Sequence, residues 1–69
     1  MNQLKIYKEN GKFIIEQINQ FNHSFKKKYV TEDGLLEGVE PYKKVIDEYN
    51  LEVQQGIDLL PKVFHVLFA

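Results

Sequence analysis

Apolar and polar residues alternate on both sides of Asn10-Gly11, from Leu4 to Lys8 and again from Phe13 to Ile18. An Asn-Gly step between two such runs is the strongest short-range signal for a β-hairpin with a two-residue type I′ loop. That loop sets a register. It places Glu9 opposite Lys12, Tyr7 opposite Ile14 and Lys5 opposite Glu16 on one face, with Lys8 opposite Phe13 and Ile6 opposite Ile15 on the other. Both opposite-charge pairs fall together, and a slip by one residue would lose them all.

The predicted strands lie near residues 3 to 9 and 12 to 18. A helical reading competes over residues 13–29, where Ile14, Ile18, Phe21, Phe25 and Tyr29 recur at spacings of four, three, four and four. Asn19, Asn22, His23 and Ser24 are poor interior helix residues and read better as a turn. The hairpin is therefore preferred, and Phe25 to Thr31 becomes a third strand unless the helical pattern wins.

Thr31 is placed to cap a short helical turn carrying Leu35, Leu36 and Val39, although Gly34 and Gly38 weaken it. The best helical signal comes next. Pro41 stands at a first helical position and Gly56 at a left-handed stop, and Tyr42, Val45, Ile46, Tyr49 and Val53 form an apolar stripe between them. Asp58 then caps a last helix from about Leu59, with Pro61 in its first turn. This segment is apolar almost all round, with Lys62 and His65 as its clear polar positions, so a buried strand is its alternative reading. The expected fold is α+β: an N-terminal hairpin, with or without a third strand, packed on one main amphipathic helix and an apolar C-terminal helix or strand.

A chain of 69 residues forms a single small domain. Such a domain buries only about 60% of the surface its unfolded chain exposes, so its stability margin is thin. There is no cysteine to form a disulfide, and two histidines alone are too few for a usual structural zinc site. Association with another chain is the remaining common support for so small a core.

A net charge of -1 opposes general binding of polyanions, and all nine basic residues are lysines, which lack arginine's planar bidentate donor. The opening segment lacks the continuous apolar run of a signal peptide, and the longest apolar stretch, Val63 to Ala69, is broken by His65 and too short to span a bilayer, so a reducing, cytoplasmic location is expected. Abundant Lys, Asn and Ile suggest an AT-rich gene of the kind common in phages and mobile elements.

No residue set specifies a reaction. The acids fall in turns or on the polar face of the expected main helix, His23 and Ser24 show no triad spacing, and the glycines are too scattered for a phosphate loop. No catalytic, cofactor or metal site is predicted. Function is expected to lie in binding a protein partner, as an inhibitor or adaptor, with self-association. Val63, Phe64, Leu67 and Phe68 are the candidate contact residues, with Tyr42 and Tyr49 at the edge. The alternative is a weak nucleic-acid or nucleotide binder using Lys26, Lys27, Lys28 and Tyr29, since lysines beside aromatics combine phosphate contact with base stacking.

One local motif stands apart. Gln55-Gly56-Ile57-Asp58-Leu59-Leu60 resembles the glutamine-plus-aliphatic peptides with which many bacterial proteins dock into the replication sliding clamp. The match spans these residues only and lacks the aromatic that often ends such peptides.

Overall fold

The structure is a computed structural model that describes residues 2–56 and 58–69. Strands β1 (Asn2–Glu9), β2 (Lys12–Ile18), β3 (Ser24–Tyr29) and β4 (Tyr49–Val53) form one sheet in the order β3-β2-β1-β4. Helices α1 (Glu32–Val39) and α2 (Leu60–Phe68) cover one face, so the fold is an α+β arrangement of two layers.

The hairpin has the register set by its turn: Glu9 pairs with Lys12, Tyr7 with Ile14, Lys5 with Glu16 and Ile6 with Ile15. Asn10 and Gly11 both take positive φ, at 52° and 78°, as a type I′ loop requires. The second turn is held by Asn19, whose side-chain oxygen accepts from the backbone N–H groups of Phe21 and His23. Its backbone N–H also donates to the His23 carbonyl, which closes the turn and delivers β3 antiparallel to β2. The third strand thus prevails over the helical alternative for residues 13–29.

Thr31 caps α1, with Oγ1 accepting from the Gly34 N–H at 3.0 Å. The two glycines of that helix have a packing role. A Cβ on Gly38 would lie 2.3 Å from the Tyr29 hydroxyl oxygen, and one on Gly34 would lie 3.7 Å from the same ring, so the Tyr29 ring lies along the glycine side of α1. Helix propensity is given up for that close approach.

The expected main helix does not form. Its residues instead make two 3₁₀ turns, Glu40–Lys44 and Ile46–Glu48, followed by strand β4. Tyr49-Asn50-Leu51-Glu52-Val53 also alternates with period two, and Val45, Ile46, Tyr49 and Val53 are residues with a preference for sheet. What decides the contest is β1, whose buried Leu4 and Ile6 would otherwise stand at an open edge. Parallel pairing with β4 sets Leu51 beside Leu4 and Val53 beside Ile6. Gln54 extends the contact: its N–H donates to the Ile6 carbonyl at 2.8 Å and its side chain accepts from the Lys8 N–H. Gly56 does adopt positive φ, at 88°, but within the turn that leaves a strand.

The C-terminal segment is a helix, as preferred, yet Asp58 does not cap it. Asp58 takes a left-handed conformation with φ 59°, and Leu59 occupies the cap position without a side-chain hydrogen bond. The core joins Leu4, Ile6 and Ile15 of the sheet to Leu35 and Val39 of α1 and to Leu59, Val63 and Leu67. The two helices run in the same direction. Lys62 bonds Glu32 where they begin, and Lys43, just after α1, donates to the Ala69 carbonyl where α2 ends.

Candidate interaction surface

The residues expected to make contacts separate by helix face. Val63 and Leu67 are fully or almost fully buried in the core, whereas Phe64 and Phe68 are 44% and 61% exposed. Leu60, 44% exposed, joins the latter pair at a spacing of four, so Leu60, Phe64 and Phe68 form an outer stripe on α2. The Phe64 and Phe68 rings stack edge to face with centroids 5.5 Å apart. Leu60 was missed in the sequence because the whole segment is apolar. Its spacing from Phe64 and Phe68 was present, but not which arc of the helix faced the sheet.

The direction of the stripe follows from Lys62. Its bond to Glu32 turns that side of α2 toward α1. Phe64 comes two residues later, about 200° around the helix, and so points away from α1. Helix α1 lies over β2 and β3, and Leu60 at the start of the stripe shares a concavity with Val53, so the stripe begins on the β4 flank. A concavity lined by Val53, Gly56, Leu60 and Pro61 joins the end of β4 to the start of the stripe.

Strand β4 is itself incompletely covered. Tyr49, Leu51 and Val53 project toward the helical layer and are each only half-buried. Tyr42 and Tyr49 meet edge to face at 5.6 Å, and the Tyr42 hydroxyl donates to Gln17 Oε1 at 2.9 Å. Burial raises the Tyr42 pKa, with the neighbouring Tyr49 and Tyr29 adding to the effect. These two tyrosines therefore brace the lower end of the sheet and reach the surface only in part.

Lys26, Lys27 and Lys28 belong to the opposite edge strand, β3. Alternation sends Lys26 and Lys28 to the helix-free face and Lys27 to the helical face, so the cluster is divided by the sheet. Tyr29 is committed to the glycine side of α1, whereas Phe25 at the other end of the cluster is exposed. Lysines on an edge strand are a common device against unwanted strand pairing.

The helix-free face carries a row of alternating charge across all the strands: Glu52, Lys5, Glu16 and Lys26. Lys5 Nζ lies 3.8 Å from Glu52 Oε2, and the Tyr7 hydroxyl donates to Glu16 Oε1 at 2.9 Å. Desolvation and the Glu16 carboxylate raise the Tyr7 pKa, and contact with the Tyr7 hydroxyl, followed by nearby negative charge, raises that of Lys26. The row is neutral in sum. Ile14, beneath Tyr7 and Lys28 in register, is buried on this face.

Among the described residues no group of three or more His, Cys, Asp or Glu side chains is placed to hold a metal ion, and no helix is long and apolar enough to cross a membrane. The segment that resembles a clamp-docking peptide is tied into the fold, since Leu59 is fully buried; Ile57 lies outside the described residues. No protein-family model matches this chain, and neither does any curated protein or solved structure.

Proposed function

We propose that this protein is a non-enzymatic interaction module that acts by binding a protein partner, as an inhibitor or adaptor does, and that it also self-associates. The observation that carries this reading is the outer stripe of α2. Leu60, Phe64 and Phe68 expose on the order of 300 Å² of apolar surface in one band, comparable to the largest patch on an ordinary monomer and concentrated on a very small one. Val63 and Leu67, on the adjoining arc, hold the helix to the core and fix the direction in which the band faces. The cytoplasm is its proposed place of action, and a phage or mobile-element origin accords with the Lys-, Asn- and Ile-rich composition.

The test is site-specific photocrosslinking in the cells that encode the protein. A benzoyl-phenylalanine at position 64 should give a discrete protein adduct that the same group at position 27, on the lysine edge, does not give. Absence of any protein adduct specific to position 64 would remove the reading.

A further inference from the structure

Strand β4 and the α2 stripe face the same flank, and together they have the form of one half of a symmetric contact. The two sheet edges differ in kind. β3 carries Lys26, Lys27 and Lys28, which repel a second copy, while β4 carries no lysine and its one charge, Glu52, is engaged by Lys5. Because the Gln54 N–H points to β1, alternation turns the backbone N–H and C=O groups of Tyr49, Leu51 and Val53 outward, away from the sheet.

We infer that a second copy of this chain pairs with that edge, β4 antiparallel to its counterpart about a two-fold axis through Leu51. In this register Leu51 meets the other Leu51 and Tyr49 meets Val53, so every outward amide and carbonyl of β4 exchanges reciprocal bonds. Asn50 stands opposite Glu52, and no like charges face each other. An axis normal to the sheet keeps both helical layers on one side. It brings the two α2 helices together antiparallel, with their Leu60, Phe64 and Phe68 stripes toward the axis and over the half-buried Tyr49, Leu51 and Val53 of both chains.

The area supports this arrangement over contact through the stripe alone. Two stripes bring on the order of 600 Å², about half of the roughly 1,200 Å² of a stable interface, and pairing of the β4 edges adds backbone and the half-buried Tyr49, Leu51 and Val53 to it. The inference rests on the reading that this flank meets another chain, and it names that chain.

The test uses the full chain made by chemical synthesis and examined by sedimentation equilibrium. The unmodified protein should sediment at twice the 8.2 kDa of one chain at micromolar concentration. N-methylation of Leu51 removes only the outward donor, and it should weaken the dimer by about tenfold or more while the monomer keeps its circular dichroism. Phe64→Glu should do the same. N-methylation of Lys26, whose N–H faces outward on the other edge, should leave the dimer intact. A chain that stays monomeric at every concentration, or a dimer unaffected by N-methyl-Leu51, would overturn the inference. A crosslink from position 64 to a different protein, found together with a monomeric pure chain, would also overturn it, removing self-association and leaving the binding of a protein partner standing.

Discussion

The ring of Tyr29 lies so close to Gly38 that a methyl group there would fall 2.5 Å from its ring carbon Cζ and 2.3 Å from its hydroxyl oxygen. Gly38→Ala should therefore destabilise the fold by about 1 to 3 kcal/mol, although alanine is the better helix former by roughly 1 kcal/mol. Urea unfolding measures it. Combining Gly38→Ala with Tyr29→Leu should recover part of the loss, because the shorter side chain leaves room for the methyl group; strictly additive losses would show that the ring and the glycine are not coupled.

At Gly11 the constraint is in the backbone alone. Its φ of 78° disfavours an L side chain, and nothing lies within 4 Å of the place a Cβ would occupy. Gly11→Ala should cost about 1 kcal/mol, whereas D-alanine at the same position should equal or exceed the stability of glycine. Equal losses from both enantiomers would contradict the type I′ geometry.

Those two glycines mark the difference between what the sequence discloses and what it conceals. The hairpin was legible because its turn, its alternation and its charge pairs are all local and agree. The Thr31 cap was legible for the same reason. Gly34 and Gly38 read only as helix weakeners, since the ring that needs them arrives from another element. Residues 41–55 misled more seriously: Tyr49 and Val53 fit both a period of 3.6 and a period of two, and the choice was made by the open edge of β1 far away in sequence. The apolar character of α2 was legible as a whole, but dividing the buried Val63 and Leu67 from the exposed Phe64 and Phe68 needed the position of the sheet.

Stability should fall on the alkaline side. Burial holds the Tyr42 hydroxyl above its ordinary 10.0, so the folded state retains this proton more tightly than the unfolded chain does. The associated stability is fully present below about pH 10 and is lost as pH rises through the folded value. Tyr7, Lys26 and Lys62 are shifted in the same direction and reinforce the trend. Tyr42→Phe should lose about 1 kcal/mol near neutrality with its hydrogen bond to Gln17, and should then show a shallower decline between about pH 9 and 11. Urea midpoints across that range provide the check, and parallel curves for the two proteins would exclude Tyr42 as a source of the decline.

The adjoining arcs of α2 should respond oppositely to truncation. Leu67 is almost wholly enclosed among the core side chains, and Leu67→Ala should cost about 2 to 5 kcal/mol, a large part of what so small a domain has. Phe68 is 61% exposed and its ring meets that of Phe64, so Phe68→Ala should move the stability of the dilute monomer by only about 0.5 kcal/mol. If the stripe serves contact between chains, the same substitution should instead reveal itself at higher concentration, where an associated wild type gains stability by mass action and the variant gains less. Thermal unfolding of both proteins over a hundredfold range of concentration separates the two contributions. A large loss at every dilution for Phe68→Ala would return that side chain to the intramolecular core.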